Sequence, residues 1–175
     1  MSQKNSLIIA TFLIVLGVAS RLLPHVWNTT PITAIALFAT AYLGLRYSVV
    51  IFIAIMAFAD IFLGFYSWPI MVSVYGSFIL AALLGLYLRK NRTVVSVFGI
   101  ALSSSVLFFL ITNWAVWQFS GMYAHSWFGL IQSYTLAVPF FRNSLFGDLF
   151  YTGVFFGAFE SVKYLVSRRA RVYSV

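Results

Sequence analysis

Long apolar runs separated by short polar breaks dominate the chain. A membrane-spanning helix needs about 20 mostly apolar residues, within a range of about 17–25. The pattern predicts six such helices, at residues 7–23, 31–45, 48–65, 71–88, 93–119 and 145–165. In the long outer connection 120–144, the apolar run 127–138 is too short to span. That run is followed by Pro139 and predicts a short interfacial or partly re-entrant helix, or an outward extension of the bundle.

The composition supports a membrane protein. Hydrophobic residues make up 62% of the 175 positions and charged residues only 8%, against about a quarter charged in an ordinary soluble domain. So few polar residues could not cover a soluble surface, and so hydrophobic a chain is not disordered. We therefore expect an all-α polytopic membrane protein, a six-helix transmembrane bundle. No repeat or linker divides it, so we expect one domain over residues 1–175.

The basic residues orient this bundle. With six crossings, one face holds nine of the eleven Lys and Arg residues: Lys4, Arg46, Arg89, Lys90, Arg92, Lys163, Arg168, Arg169 and Arg171. The other face holds Arg21 and Arg142. Basic loops stay in the cytoplasm, so both termini are predicted to be cytoplasmic. The positive charge then serves orientation and contact with anionic lipid headgroups, not nucleic-acid binding.

The N-terminus allows two interpretations. Lys4, the apolar run 7–16 and the small residues 17–19 resemble a signal peptide with its cleavage site. Cleavage would leave five spans with the same C-terminal orientation. The apolar run continues past the site through Leu23, which favours an uncleaved first helix.

Ionisable residues inside the predicted spans suggest a site near the outer face. A charge at membrane depth is costly unless it is paired or faces water. Asp60 and Asp148 lie at a depth similar to that of Arg21 and Arg142. They could form two buried ion pairs that brace the bundle, or they could contact a ligand. By contrast, Glu160 is explained by an i, i+3 pair with Lys163.

Aromatic and amide side chains cluster on the same side, and the inner loops contain no Trp. This favours an aromatic-lined outward pocket, although an interfacial aromatic belt would look similar. Asn113 and Trp117, four residues apart, share a helix face that suits a flat, hydrogen-bonding ligand, or an interhelical bond beside an interfacial ring. The candidate ligand-binding residues are Arg21, Trp27, Asn28, Asp60, Tyr75, Asn113, Trp117, Tyr123, Arg142, Asn143 and Asp148.

The sequence contains few motifs that would indicate catalysis or metal binding. The chain has no Cys, no Gly-rich phosphate loop, no His-Glu-x-x-His run and no serine-nucleophile elbow. His25 and His125 alone are a weak metal signal. We therefore expect no enzyme, no metal and no cofactor.

Three stretches of sequence resemble a known family. They are Asn28-Thr29-Thr30-Pro31-Ile32 with Ala36-Leu37-Phe38; Phe108-Phe109-Leu110-Ile111-Thr112-Asn113 with Trp117; and Pro139-Phe140-Phe141-Arg142-Asn143 followed by Gly147-Asp148-Leu149. Over residues 21–157, the chain resembles a family of small bacterial membrane proteins labelled as proposed transport proteins. That family is considered similar to the substrate-binding (S) components of energy-coupling factor transporters.

The resemblance implies a fold and a role. S components are six-helix bundles that bind a vitamin or similar micronutrient from outside and have no ATPase of their own. They dock on a transmembrane coupling protein driven by two cytoplasmic ATPases. Docking uses small residues four apart on the first helix, and no Ala-x-x-x-Ala pair occurs here. The groove could lie on another helix, or the protein could work alone. Motif matching favours Asn28, Asn113, Arg142, Asn143 and Asp148 as functional residues.

Two functions from different classes follow. The first is a transport component of the bacterial inner membrane that binds a micronutrient from outside. Aromatic rings would stack on the ligand, and amides would bond its polar edge. Arg142 and the N-terminal end of the sixth helix would favour a carboxylate or phosphate. Asp60 or Asp148 would balance that charge or contact a cationic group. The alternative is a structural or assembly subunit of a membrane complex, suggested by small residues four apart on several helices. An intramembrane lipid enzyme is the least supported hypothesis.

Overall fold

A computed structural model describes residues 3–24 and 29–172, with side chains described as far as residue 168. The protein is all-α. Its six helices are α1 (Gln3–Leu22), α2 (Ile32–Tyr42), α3 (Leu45–Leu63), α4 (Trp68–Leu88), α5 (Val94–Phe119) and α6 (Trp127–Val172). Successive helices run up and down the bundle. The ends of α1, α3 and α5 therefore lie with the beginnings of α2, α4 and α6 at what we call the Arg21 end.

Four of the helices, α1, α3, α4 and α5, are long and apolar enough to cross a membrane. Large apolar side chains lie exposed on their outer faces, including Phe12, Ile61 and Leu102. A soluble protein rarely exposes so continuous an apolar surface. The helices therefore have the character of membrane spans, as the hydropathy pattern predicts.

The core is built around α2. Ten of its eleven residues are buried, and the helix packs against each of the other five. Its small Ala and Thr side chains allow this close approach. At about 16 Å, α2 is shorter than the predicted 31–45 helix. It ends before Gly44, whose φ of 103° lies outside the helical region and favours glycine.

The last helix differs most from the prediction. Instead of a short helix over 127–138 and a sixth helix from 145, α6 continues from Trp127 to Val172 through Pro139. Proline removes one backbone hydrogen bond, but long helices in membrane proteins tolerate it. The connection before α6 therefore shrinks to 120–126. At 46 residues, or about 70 Å, α6 extends well beyond a hydrocarbon core of about 30 Å.

At the end opposite Arg21, polar side chains tie α6 to α2. The Tyr42 hydroxyl donates a 2.7 Å hydrogen bond to Oε1 of Glu160. Nζ of Lys163 lies 3.6 Å from Oε2 of Glu160, which confirms the predicted i, i+3 pair. The Arg92 guanidinium lies 4.6 Å from the Tyr42 ring centre and donates to the Ala41 carbonyl.

Close packing of α2 on α4 depends on Gly85. A Cβ at this position would lie 3.0 Å from Cβ of Thr40 and 3.3 Å from the Leu37 carbonyl oxygen. Because backbone cannot move aside easily, we expect Gly85→Ala to destabilise the protein by about 1–3 kcal/mol. Gly99→Ala is the matched control, because a Cβ there meets no atom within 4 Å. That variant should be neutral or slightly stabilising. Thermal unfolding in detergent measures both. Equal melting temperatures would contradict the packing argument.

Candidate functional site

A largely buried ion pair joins α1 to α3. Nη2 of Arg21 lies 2.7 Å from Oδ1 of Asp60, whose side chain is 1% exposed. The Tyr75 hydroxyl of α4 donates a 2.9 Å hydrogen bond to Oδ2 of Asp60, and Nη1 of Arg21 contacts the sulfur of Met56. Both oxygens of Asp60 therefore have partners, and Arg21 balances its charge.

Tyr66 lies in the connection between α3 and α4. Partial burial, and then the neighbouring Asp60 carboxylate, raise the pKa of Tyr66 to about 12. Both effects disfavour the phenolate, because desolvation and a like charge oppose ionisation. The Tyr66 hydroxyl is therefore protonated and uncharged at physiological pH.

A second buried carboxyl, Asp148, lies on α6 and is 5% exposed. Its Oδ2 accepts a 2.6 Å hydrogen bond from the Ser105 hydroxyl of α5, and the Thr33 hydroxyl of α2 also donates to it. Within the described part of the chain, no Arg, Lys or His pairs with Asp148. The three helices thus surround a carboxyl group that has hydroxyl partners and no cationic one.

A partly enclosed cavity of about 440 Å³ extends from one cluster to the other. All six helices or their connections contribute to its wall. Its polar lining residues are Arg21, Thr30, Thr33, Tyr66, Ser105, Thr112, Asn113, Ser144 and Asp148. Its apolar lining residues are Ile32, Met56, Leu63, Val74, Phe78, Phe108, Phe109, Ala137, Phe140 and Phe141. A space of this size and composition suits a small organic molecule.

Aromatic rings form much of the apolar wall. The ring centres of Phe109 and Phe141 are 4.5 Å apart, and those of Phe78 and Phe108 are 5.1 Å apart. Nδ2 of Asn113 donates a 2.8 Å hydrogen bond to the Phe109 carbonyl within α5. This bond leaves the Asn113 side-chain oxygen as an acceptor for a ligand.

The cavity brings together some of the candidate residues. Arg21, Asn113 and Asp148 line it, and Asp60 and Tyr75 fix Arg21 through the hydrogen-bonded ion pair. Of the two ion pairs considered from the sequence, the Arg21–Asp60 pair is present.

Other candidates lie apart from the cavity wall. Nε1 of Trp117 donates a 3.0 Å hydrogen bond to the Ala124 carbonyl, and its ring centre is 5.7 Å from that of His125. Tyr123 lies in the same connection. This arrangement braces the turn between α5 and α6. Trp27 and Asn28, with His25, fall outside the described residues.

Arg142 and Asn143 line a separate depression on α6, with Val138, Pro139 and Phe146. Arg142 is exposed and its guanidinium lies 5.8 Å from the Phe146 ring. No helix begins at this point, because α6 starts at Trp127. The expectation of an anion site at a helix N-terminus here is therefore wrong, since mid-helix N–H groups are already bonded.

Several lining residues were not among the candidates. Thr33, Ser105 and Ser144 add hydroxyl groups, and the paired rings Phe140 and Phe141 add apolar surface. One signal was available: the run 103–105 places three serines inside a strongly apolar helix. In the described residues, no group of three His, Asp or Glu side chains could hold a metal.

One family match covers nearly the whole chain. The model of the family of unknown function DUF6580 matches residues 1–170. The chain belongs to this family. No curated protein and no solved structure matches it significantly. Family membership therefore places the chain among relatives without assigning an activity.

Proposed function

We propose that the protein is a membrane transport component that binds a small micronutrient from the outer side. The observation that carries this proposal is the cavity of about 440 Å³. It is bordered by polar groups inside an apolar bundle. Polar groups in such an interior are costly and are typically kept for binding or conduction. Nothing in the proposal requires chemistry on the ligand.

The proposed topology has six membrane segments and cytoplasmic termini. Four helices are long enough to span, α2 crosses inside the bundle shielded by its neighbours, and the middle of α6 completes the set. The basic residues Arg46, Arg89, Lys90, Arg92, Lys163 and Arg168 lie at the end opposite Arg21. By the positive-inside rule, that end would face the cytoplasm of a bacterial cell.

This orientation directs the cavity outward. Thr30, Leu63 and Tyr66 line it and lie in or beside connections at the Arg21 end. A ligand would enter there and reach Asp148 and Ser105 at greater depth. By analogy with S components, a transmembrane coupling protein with cytoplasmic ATPases would drive release, since the chain has no ATP-binding loop of its own.

Native mass spectrometry of the protein, gently extracted from its own membrane, tests the proposal. A co-extracted small molecule of defined mass is the expected result. Asn113→Ala should lower its occupancy about tenfold, because it removes a lining hydrogen-bond acceptor. Asn143→Ala is the matched control, because Asn143 lies on α6 outside the cavity. Equal loss in both variants, or no bound molecule in the wild type, would count against the proposed site.

The same measurement tests a structural or assembly subunit. Gly157 and Ala158 are exposed on α6, and a Cβ at Gly157 would meet nothing within 4 Å. Small exposed residues allow another helix to approach closely. A reproducible protein assembly without a bound small molecule would favour this second function.

A further inference from the structure

One carboxyl group at the cavity has no basic partner among the described residues. Arg21 and Asp60 form a pair with a separation of 2.7 Å, and Tyr66 is neutral. Among the described residues that form or support the cavity wall, Asp148 is then the one carboxyl without a cationic partner. Arg142 does not supply one, because it lies in a separate depression.

The residues around Asp148 suit a ligand that donates hydrogen bonds to its carboxyl group. Its carboxyl is buried and bordered by the Ser105 and Thr33 hydroxyls, which come from two other helices. Ser144, one turn earlier on α6, also lines the cavity. A carboxylate in an apolar interior is stabilised most by a cation that also donates hydrogen bonds. An ammonium group meets both requirements.

The remaining wall favours an aromatic or apolar body on that cation. Phe108, Phe109, Phe140 and Phe141 line the same space as Asp148. Aromatic faces attract cations and bury apolar groups. A metal ion such as Na⁺ would use the carboxylate, but it has no apolar body to bury against these rings.

We propose that the cavity selects a ligand with a protonated amine on an aromatic or apolar body, and that Asp148 binds the ammonium group. This inference rests on the proposed function and adds the chemical class of the ligand. It sets aside the carboxylate or phosphate ligand considered from the sequence. Neither arginine is available to bind an anion in the cavity, because Arg21 is paired with Asp60 and Arg142 does not line the cavity.

Three indoles with the same ring test the selection: tryptamine, its alcohol analogue tryptophol, and indole-3-propionate. Calorimetry on the full chain in nanodiscs should show tryptamine binding at least about tenfold more tightly than tryptophol, with the propionate weakest. Equal affinity for amine and alcohol, tightest binding of the acid, or no binding of any indole at millimolar concentration would overturn the assignment.

Two variants test whether Asp148 is responsible for the preference for the amine. Asp148→Asn keeps the side-chain shape and should remove the preference for tryptamine over tryptophol. Glu160→Gln is the control, because Glu160 bonds Tyr42 far from the cavity, and it should keep the preference. An unchanged preference in Asp148→Asn would overturn the assignment even if that variant binds weakly. Stabilisation by Na⁺ that depends on Asp148, without tryptamine binding, would also overturn it.

The outcomes separate this inference from the proposed function. Suppose that native mass spectrometry finds a bound small molecule but the amine has no advantage over the alcohol. The binding function would then stand, and the ammonium assignment would fail. If neither a co-extracted molecule nor any indole binds, both fail.

Discussion

Arg21→Met should destabilise the protein by about 3–5 kcal/mol, because it leaves a buried carboxylate without its cationic partner. Asp60 is 1% exposed and receives both the Arg21 guanidinium and the Tyr75 hydroxyl. After the substitution, the Tyr75 hydroxyl is the one donor left to the Asp60 carboxylate among the described residues. Reversible unfolding in mixed micelles, followed by Trp fluorescence, measures the loss.

Two controls distinguish the ion pair from a general effect of losing a positive charge. Lys163→Met removes the cation of the exposed Glu160 pair, whose Lys side chain is 62% exposed. Exposed pairs contribute little, so this variant should lose less than about 1 kcal/mol. The double variant Arg21→Met with Asp60→Leu removes both charges of the pair and should recover much of the stability. If the double variant is no more stable than Arg21→Met, the buried-charge explanation is incorrect.

The amino-acid sequence predicted much of the helical architecture. Its apolar runs overlap the six observed helices because backbone groups in an apolar environment must bond within a helix. Pro139 was interpreted as the end of a short helix, yet α6 runs through it. Local sequence alone does not reveal this, because continuity depends on neighbouring helices: Phe109 and Tyr134, for example, hold this part of α6 against α5.

The site was predicted in part. Asp60 and Arg21 stood out as charges in apolar helices, and they do form a pair. An equivalent pair between Asp148 and Arg142 does not form. Six positions along one continuous helix correspond to about 240° of rotation, so the two side chains face different directions. That rotation could be derived only after α6 was known to be continuous.

The hydroxyl partners of Asp148 are a second feature of the site that the sequence alone does not predict. Thr33 and Ser105 come from α2 and α5, which are distant in the chain. These two hydroxyls lie close to Asp148 because of how α2 packs among the other helices. Hydroxyl groups inside apolar helices commonly bond their own backbone, as Ser103 does with the Gly99 carbonyl. Sequence pattern cannot distinguish such a residue from one that faces a cavity.

Filling the cavity should weaken binding strongly, with little effect on the fold. Ala137→Trp places an indole ring into a space of about 440 Å³ that already has aromatic walls. We expect a loss of about 100-fold in affinity for tryptamine, equivalent to about 2.7 kcal/mol, and a similar loss of any co-extracted molecule. Because the ring enters an existing cavity, it should not overpack the core, and stability should stay close to that of the wild type.

Leu136→Trp is the matched control for this variant. Leu136 precedes Ala137 on α6, is 54% exposed and does not line the cavity. The same ring added there should leave affinity unchanged, since an outward-facing indole is compatible with a lipid surface. Comparable losses in both variants would show that a bulky ring on this part of α6 disturbs the protein generally. Undiminished binding in Ala137→Trp would place the ligand elsewhere, because no aromatic ligand could share the filled cavity at the original affinity.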